Sequence, residues 1–302
     1  MSSIPGTSID PTADIGAAGV DGQAAPTAKL EVKGTAATAA HGSKKARLDG
    51  GWDPIHCPDW DKQTTAAFST KRIQRDLQQL YKDPPQGIFA VPDEGDLSRI
   101  HLLIVGPMDT PYEGGFFYFL IRLPPDYPLR PPRARLMTTA GDSVRFNPNL
   151  YQNGKVCLSI LGTWDGPGWA ASLTLESVAL SIQSLMSEKP YFNEPGYEHE
   201  RRSGDSDRYN TIIQYETLRV AVCEMMEGQR TESKNLPETL REAMHGLFAE
   251  FIDTYLINCQ KLVDKGLQGT AINDPFGCNH GTFDLDGVLQ RLMQLKTKYG
   301  SD

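Results

Sequence analysis

Residues 111–132 carry the stretch PYEGGFFYFLIRLPPDYPLRPP, which is the part of the chain that says most about its fold. A Gly-Gly pair precedes a run of aromatic and aliphatic residues, and a Pro-Pro pair ends it. Such a run between turn residues predicts a β-strand at residues 114–123, with close backbone packing at its glycine start. The same pattern predicts strands at residues 100–105 and 134–138, so this region is expected to form a strand meander.

Helices are predicted on both sides of the meander because apolar residues recur there at helical spacing. Residues 71–81 place Ile73, Leu77 and Leu80 on one face, and residues 173–186 form a second apolar helix. Further helices are predicted at residues 207–227, at residues 238–265 and from the N-cap Asp284 onward. The order of helix, strands, irregular loop and more helices indicates an α+β fold with a C-terminal helical extension.

The composition divides the chain into three parts. Of the 302 residues, 39% are hydrophobic and 23% charged, which is ordinary for a globular protein. Residues 1–50 are mostly Ala, Gly, Thr, Ser and Pro, and such a segment cannot bury enough apolar surface to offset the entropy of ordering. We therefore expect a disordered tail at residues 1–50, a core domain at residues 61–204, and a helical extension at residues 205–302 that packs on the core.

Charge and hydropathy exclude several classes of partner. The net charge of -8 argues against a nucleic-acid partner, because phosphate binding draws on Lys and Arg. No secretory signal or bilayer-spanning apolar run is visible, so we expect no membrane partner and five free cysteines in a reducing cytoplasm. The basic cluster Lys44, Lys45 and Arg47 is either solvated tail charge or a short nuclear-import signal, and the nucleus is therefore the alternative location.

Neither a metal nor an organic cofactor is expected. The close Cys/His pairs are His56 with Cys57 and Cys278 with His280, and no CxxC motif accompanies either pair. A structural zinc site needs four ligands at workable spacing. The chain also has no glycine-rich phosphate loop of the Walker or dinucleotide type.

A second informative stretch, NPNLYQNGKVCLSIL, occupies residues 147–161. Together with residues 111–132, and in this order, it resembles the ubiquitin-conjugating enzyme family. The matching family patterns are PYxGGxFxxxxxxPxxYPxxPP and HPNxxxxGxxCLxIL. The resemblance covers about residues 67–197, and it implies the family's fold, an antiparallel meander sheet flanked by helices.

The resemblance also implies a set of catalytic residues. Cys157 would accept ubiquitin from an activating enzyme as a thioester and pass it to a substrate lysine or a ligase cysteine, although a lone cysteine is more often core packing. Asn149 matches the family's oxyanion-stabilising asparagine, and it can also hold a turn through the backbone. Glu194 aligns with an acidic residue that orients the incoming lysine, the alternative being a solvated loop carboxylate.

Two positions depart from the family pattern. Asn147 stands where most members have histidine, and an amide cannot titrate, which argues against acid–base catalysis there. Ser159 stands where the more common form has Asp, which removes one carboxylate near Cys157. These departures leave a catalytically silent ubiquitin-binding module as an alternative, against which Cys157 argues. A scaffold that acts through its helical extension is a further alternative.

The resemblance also indicates surfaces for partners. Lys71 and Arg72 open the first helix, which faces the activating enzyme in the family, although a solvated helix face is the competing interpretation. Leu129 lies where the family presents an apolar knob to ubiquitin ligases. Trp169 matches the tryptophan of the second ligase-facing loop, but Ala170 and Ala171 replace the usual Ser-Pro.

Three further stretches resemble one branch of the family that has extensions at both ends. They are the long loop LGTWDGPGW at residues 161–169, VCEMMEG at residues 222–228 and NDPFG at residues 273–277. For this branch the implied partners are ubiquitin, a diubiquitin-like modifier and a non-classical ubiquitin-activating enzyme.

Overall fold

A computed structural model describes residues 51–300 of the chain. The helices are Ala67–Lys82 (α1), Leu175–Ser184 (α2), Asp205–Glu216 (α3), Met225–Glu227 (α4), Thr231–Lys234 (α5), Glu238–Asp264 (α6) and Leu285–Tyr299 (α7). The strands are Ile88–Pro92 (β1), Arg99–Val105 (β2), Phe116–Arg122 (β3) and Arg133–Leu136 (β4). The expected disordered tail and its basic cluster, Lys44, Lys45 and Arg47, lie outside the described residues. No helix within residues 51–300 is long and apolar enough to cross a membrane.

The strands form an antiparallel sheet in the order β1-β2-β3-β4. The register places Leu102 opposite Phe119, and Phe119 opposite Leu136. The predicted meander and the α+β fold are therefore confirmed. Strand β1 was not predicted, because its sequence IFAVP is short and ends at a proline. Proline lacks a backbone donor, so its place on an edge strand is the one that a sheet tolerates.

Both faces of the sheet are buried, which explains why strands β2 and β3 read as nearly continuous apolar runs. Alternate residues such as Leu102 and Phe119 belong to a core that includes α1 and α2. The intervening residues, such as Leu103 and Tyr118, belong to a second core that includes α6 and α7. The C-terminal helices thus lie against one face of the sheet.

The Gly-Gly pair before β3 packs closely against α6. Gly114 has a φ of 69°, and a Cβ built on it would lie 2.7 Å from Cε1 of Tyr255. The buried hydroxyl of Tyr255 donates a 2.7 Å hydrogen bond to the Gly114 carbonyl oxygen. The close backbone packing predicted at the start of this strand is therefore confirmed, and its partner is the C-terminal extension.

Helices α1 and α2 are joined through one buried carboxylate. The Oδ2 atom of Asp76 accepts hydrogen bonds from the Tyr127 hydroxyl at 2.5 Å and from the Leu175 backbone N–H at 3.2 Å. Helix α2 begins with a capping box in which Thr174 and Ser177 each accept from the other's backbone N–H. The negative charge at the start of α2 also suits the helix dipole.

The helices predicted from residue periodicity are confirmed, with one difference in winding. The confirmed helices are α1, α2, α6 and α7. The predicted N-cap of α7 is also confirmed, because the Asp284 side chain accepts from the Gly287 N–H at 3.0 Å. The element predicted at residues 207–227 is continuously helical, but it winds as a π-helix over Thr217–Glu224, between α3 and α4. Apolar spacing over so short a stretch does not distinguish this winding from an α-helix.

Candidate active site

A tight turn positions Cys157. The chain reverses at residues 151–154, where the Gly154 N–H donates to the Tyr151 carbonyl oxygen at 2.9 Å. Gly154 has a φ of 82°, and an added Cβ would lie 2.4 Å from the Leu136 carbonyl oxygen, so a larger residue does not fit. The returning chain then places Cys157 beside Asn149, whose carbonyl oxygen accepts from the Cys157 N–H at 2.9 Å.

The side chain of Asn149 strengthens the same pairing. Its Nδ2 atom donates to the Cys157 carbonyl oxygen at 2.9 Å, so the two residues share two hydrogen bonds. Asn149 is buried. Within residues 51–300 this is the one acceptor that Nδ2 reaches, and an amide nitrogen carries two hydrogens. Asn149 therefore holds the turn and keeps a second N–H close to Cys157.

Asn147 is a fully buried connector, which explains an amide at this position. Its Nδ2 atom donates to the Tyr112 hydroxyl at 2.9 Å and to the Leu185 carbonyl oxygen at 2.8 Å. Its Oδ1 atom accepts from the Asn149 N–H at 2.9 Å and from Asn193 Nδ2 at 3.3 Å. An amide supplies these two donors and one acceptor at once, whereas a neutral imidazole has one donor and one acceptor.

Glu194 is ion-paired. Its Oε2 atom lies 3.0 Å from Nη2 of Arg145, and the Glu194 side chain is 27% exposed. The same Nη2 atom donates to the Pro148 carbonyl oxygen at 2.6 Å, and Nε of Arg145 donates to the Asn147 carbonyl oxygen at 3.3 Å. One guanidinium group thus joins the Glu194 loop to the backbone that precedes Asn149.

Arg145 belongs to the site, although no local pattern in the sequence marks it. The residues next to Arg145 in the sequence form no charge pattern, and its partner Glu194 lies 49 residues further along the chain. The nearest signal was the NDPFG stretch at residues 273–277, because Phe276 of this stretch lies 5.8 Å from the Arg145 guanidinium. That stretch indicates a branch of the family, and its sequence alone does not predict a role at the site.

Burial alone does not distinguish Cys157 from other cysteines. Cys57, Cys223 and Cys259 are also buried, so the polar surroundings of Cys157 are what set it apart. Burial raises the pKa of the Cys157 thiol, the positive charges of Lys155 and Arg145 lower it, and the net direction is upward. The resting thiol is therefore protonated at neutral pH, and it must lose its proton when it attacks.

Lys71 and Arg72 differ in their surroundings. Helix α1 begins at Ala67, so Lys71 and Arg72 lie in its second turn and do not open it as predicted; Lys71 is exposed there. The Arg72 guanidinium pairs with Asp76 at 2.7 Å, and it donates to the carbonyl oxygens of Ala171 at 3.0 Å and Leu173 at 2.7 Å. Of the two charges, the one on Lys71 is presented to solvent, while the one on Arg72 also ties α1 to the loop before α2.

The residues predicted to face ligases lie on two loops that contact each other. Leu129 is 64% exposed, which is unusual for a leucine of a folded domain. The indole N–H of Trp169 donates to the Pro128 carbonyl oxygen at 2.7 Å, and the Trp169 ring lies 5.9 Å from that of Tyr127. The two predicted residues therefore belong to one surface, which we call the Leu129–Trp169 surface.

Known proteins resemble the chain over most of its length. The sequence model of the family described as ubiquitin-conjugating enzyme matches residues 72–214. Ubiquitin-conjugating enzyme E2 Z of Homo sapiens is 53% identical over 260 residues, which cover 86% of this chain and 71% of that protein. The protein of the same name from Danio rerio is 52% identical over 247 residues, covering 82% of this chain and 74% of the relative.

A more distant relative matches a smaller share of the chain. The probable ubiquitin-conjugating enzyme protein 17 of Caenorhabditis elegans is 42% identical over 181 residues, which cover 56% of this chain and 25% of that protein. The resemblance drawn from residues 111–132 and 147–161 is thereby confirmed. The chain belongs to the ubiquitin-conjugating enzyme family.

Proposed function

We propose that the chain carries ubiquitin as a thioester on Cys157 and transfers it to a substrate lysine or to a ligase cysteine. The observation that carries this proposal is the pairing of Cys157 with Asn149, beside the Glu194–Arg145 ion pair. A thiol, an amide donor and a carboxylate are the groups that acyl transfer to an amine requires. Ubiquitin is proposed as the transferred protein because the relatives are ubiquitin-conjugating enzymes.

The first step is a thioester exchange. The Cys157 sulfur attacks the carbonyl carbon that joins ubiquitin to the activating enzyme's cysteine. A new C–S bond forms, the old C–S bond breaks, the activating enzyme's thiolate leaves, and the Cys157 proton passes to solvent. Because burial raises the pKa of Cys157, the reactive thiolate is the minor form at neutral pH, and the thiol must lose its proton for the attack.

The second step is the attack of an uncharged lysine amine on the same carbonyl carbon. An amide C–N bond forms, Cys157 leaves as a thiolate, and a proton of the amine passes to a base. The second N–H of Asn149 is the donor for the oxyanion, an interaction worth about 3 kcal/mol where one such donor has been removed from an enzyme. The Glu194 carboxylate orients the amine and is the base that accepts its proton as the attack proceeds.

We also propose the partners that the family resemblance implies. Lys71 and Arg72 meet acidic residues of the activating enzyme, and Lys71 carries the more accessible charge. The Leu129–Trp169 surface meets ubiquitin ligases, as the exposure of Leu129 supports. The activating enzyme is the non-classical one, the modifiers are ubiquitin and a diubiquitin-like protein, and the place of action is the cytoplasm, with the nucleus as a second location.

The test is a charging assay with ATP, read on a non-reducing gel. Both the non-classical and the common activating enzyme are used, each with ubiquitin and with the diubiquitin-like modifier. We expect a band larger by one modifier that thiol reductant removes. Cys157→Ala should lack this band, and Cys157→Ser should give an oxyester that resists reductant but is cleaved by hydroxide.

Cys57→Ala is the matched control, because Cys57 is also buried and belongs to the segment before α1. It should charge like the unchanged chain. If the folded protein forms no band with any combination, the proposal fails, and a ubiquitin titration then tests the silent binding module. A band that persists in Cys157→Ala would move the thioester to another cysteine.

A further inference from the structure

The Arg145 side chain joins several separate parts of the site. Its guanidinium contacts the carbonyl oxygens of Asn147 and Pro148, the Glu194 carboxylate, and the Cys278 sulfur, which lies 3.4 Å from Nη1. The Arg145 side chain is only 11% exposed. A planar guanidinium with five N–H groups can serve these partners together, which a single ammonium group cannot.

The C-terminal extension holds the backbone of Arg145. Asn279 accepts the Arg145 N–H on Oδ1 at 3.0 Å, and it donates from Nδ2 to the Arg145 carbonyl oxygen at 3.1 Å. Asp274 fixes this amide, because its Oδ2 atom accepts both the backbone N–H and the Nδ2 of Asn279 at 2.9 Å. Both side chains are buried. We call residues 274–279 the clamp segment.

An aromatic cluster anchors the clamp segment beside the Glu194 loop. The Phe276 ring lies 5.3 Å from that of Tyr191, 5.1 Å from that of Tyr197 and 4.9 Å from that of Tyr209. Tyr191 and Tyr197 flank Glu194 in the sequence. The clamp segment therefore contacts both chain segments that Arg145 joins, the one before Asn149 and the one that carries Glu194.

We propose that Arg145 is a positioning residue for modifier transfer, and that the clamp segment is the part of the extension that keeps it in place. Arg145 engages Oε2 of Glu194, while Oε1 accepts no hydrogen bond from residues 51–300. Oε1 is then the atom that receives the incoming amine. The inference rests on the proposed function, since it assigns Glu194 its orientation in the second step.

Arg145→Lys tests the geometry while keeping the positive charge. The variant protein is first charged, and discharge to free lysine is then followed under single-turnover conditions, separately from the rate of charging. We expect discharge to fall about tenfold and charging to change less, because orientation of the amine matters only in the second step. Arg241→Lys is the matched control, since this arginine of α6 pairs with an exposed glutamate and should discharge normally.

A double-mutant cycle separates positioning from plain loop stability. If Arg145 acts through Glu194, then Arg145→Lys combined with Glu194→Gln should discharge no more than twofold slower than Glu194→Gln alone. If the double variant loses the product of the two single-variant losses in discharge rate, the proposal is overturned. It is also overturned if Arg145→Lys alone discharges within twofold of the unsubstituted protein. A thermal melt of each variant confirms that it is folded.

The role of the clamp segment has a readout that needs no modifier. Asn279→Ala removes both hydrogen bonds to the Arg145 backbone, so amide hydrogen exchange at Arg145, Asn147 and Asn149 should become about tenfold faster. Unchanged exchange in Asn279→Ala would refute the clamp even where discharge is slower. If the unsubstituted protein never charges, the proposed function is refuted instead. The hydrogen-exchange result would still show whether the clamp segment holds Arg145 in place.

Discussion

Replacing Asn147 by alanine tests whether this amide is a structural connector. The substitution removes two donors and one acceptor from a site with no solvent access. The Asn149 N–H is then left buried without its acceptor. The Leu185 carbonyl oxygen keeps its hydrogen bond from Asn193 Nδ2 at 3.1 Å, and the Tyr112 hydroxyl still donates to the Phe146 carbonyl oxygen. One orphaned group therefore dominates the cost.

The magnitude follows from these contacts. A buried N–H without a partner costs about 1–3 kcal/mol, and the loss of a satisfied hydrogen bond costs about 1 kcal/mol, so Asn147→Ala should destabilise the protein by about 3 kcal/mol. Asn147→His restores one acceptor for Asn149 and one donor for Leu185. It should cost about 1–2 kcal/mol, because the Tyr112 hydrogen bond is lost and the ring is larger.

Urea unfolding followed by tryptophan fluorescence measures these differences. Asn153→Ala is the control, because Asn153 is exposed in the turn and, among the residues that the structure describes, its Oδ1 accepts only from the Lys155 N–H at 3.1 Å. It should cost less than about 1 kcal/mol. The reasoning fails if Asn147→Ala costs no more than Asn153→Ala, or if Asn147→His is the more damaging of the two Asn147 variants.

Three further results are expected. Tyr255→Phe should cost about 1–2 kcal/mol in urea unfolding, because the Gly114 carbonyl oxygen loses its buried donor; a cost near zero would contradict the contact. Lys155→Gln should shift the pH dependence of Cys157 alkylation by iodoacetamide to higher pH, since the Lys155 charge lowers the Cys157 pKa; a shift to lower pH would be the wrong sign. Burial raises the pKa of Cys223 to about 12. The protonated Cys223 thiol contributes to the free energy of unfolding. This contribution is complete below the unfolded-state pKa of about 8.5 and is lost as the pH rises toward the folded-state pKa, so the free energy of unfolding should fall by about 2 kcal/mol between about pH 8.5 and 10.5. Cys223→Ala should show a correspondingly smaller alkaline loss, and equal slopes would refute this.

Much of the fold could be predicted because the local patterns agree with the tertiary structure. Helices α1, α2, α6 and α7 have one apolar face each, and the glycines before β3 mark a real close contact. Strand β1 was missed because a five-residue edge strand between turn residues has too little pattern of its own. The π-helical winding was missed because it depends on packing rather than on residue spacing.

The site was predictable only where its residues lie close together in the sequence. Cys157 and Asn149 share one turn, so a single motif carries both. Glu194 could be placed by its proline neighbour, but its partner could not. Arg145 binds groups that lie 49 and 133 residues further along the chain, and no local sequence pattern predicts such contacts.

The buried second face of the sheet has a consequence for synthesis on the ribosome. Strands β2 and β3 are complete at Arg122, whereas the helices that cover their outer face come later, from α3 and the π-helical segment Thr217–Glu224 to α6, which begins at Glu238. At about 5–20 residues per second, the nascent chain carries an uncovered apolar sheet for on the order of ten seconds. During that interval Leu103, Phe116 and Tyr118 offer a surface to which chaperones bind and by which neighbouring chains aggregate. Substitutions that slow the docking of α6 are therefore expected to lower the yield of folded protein.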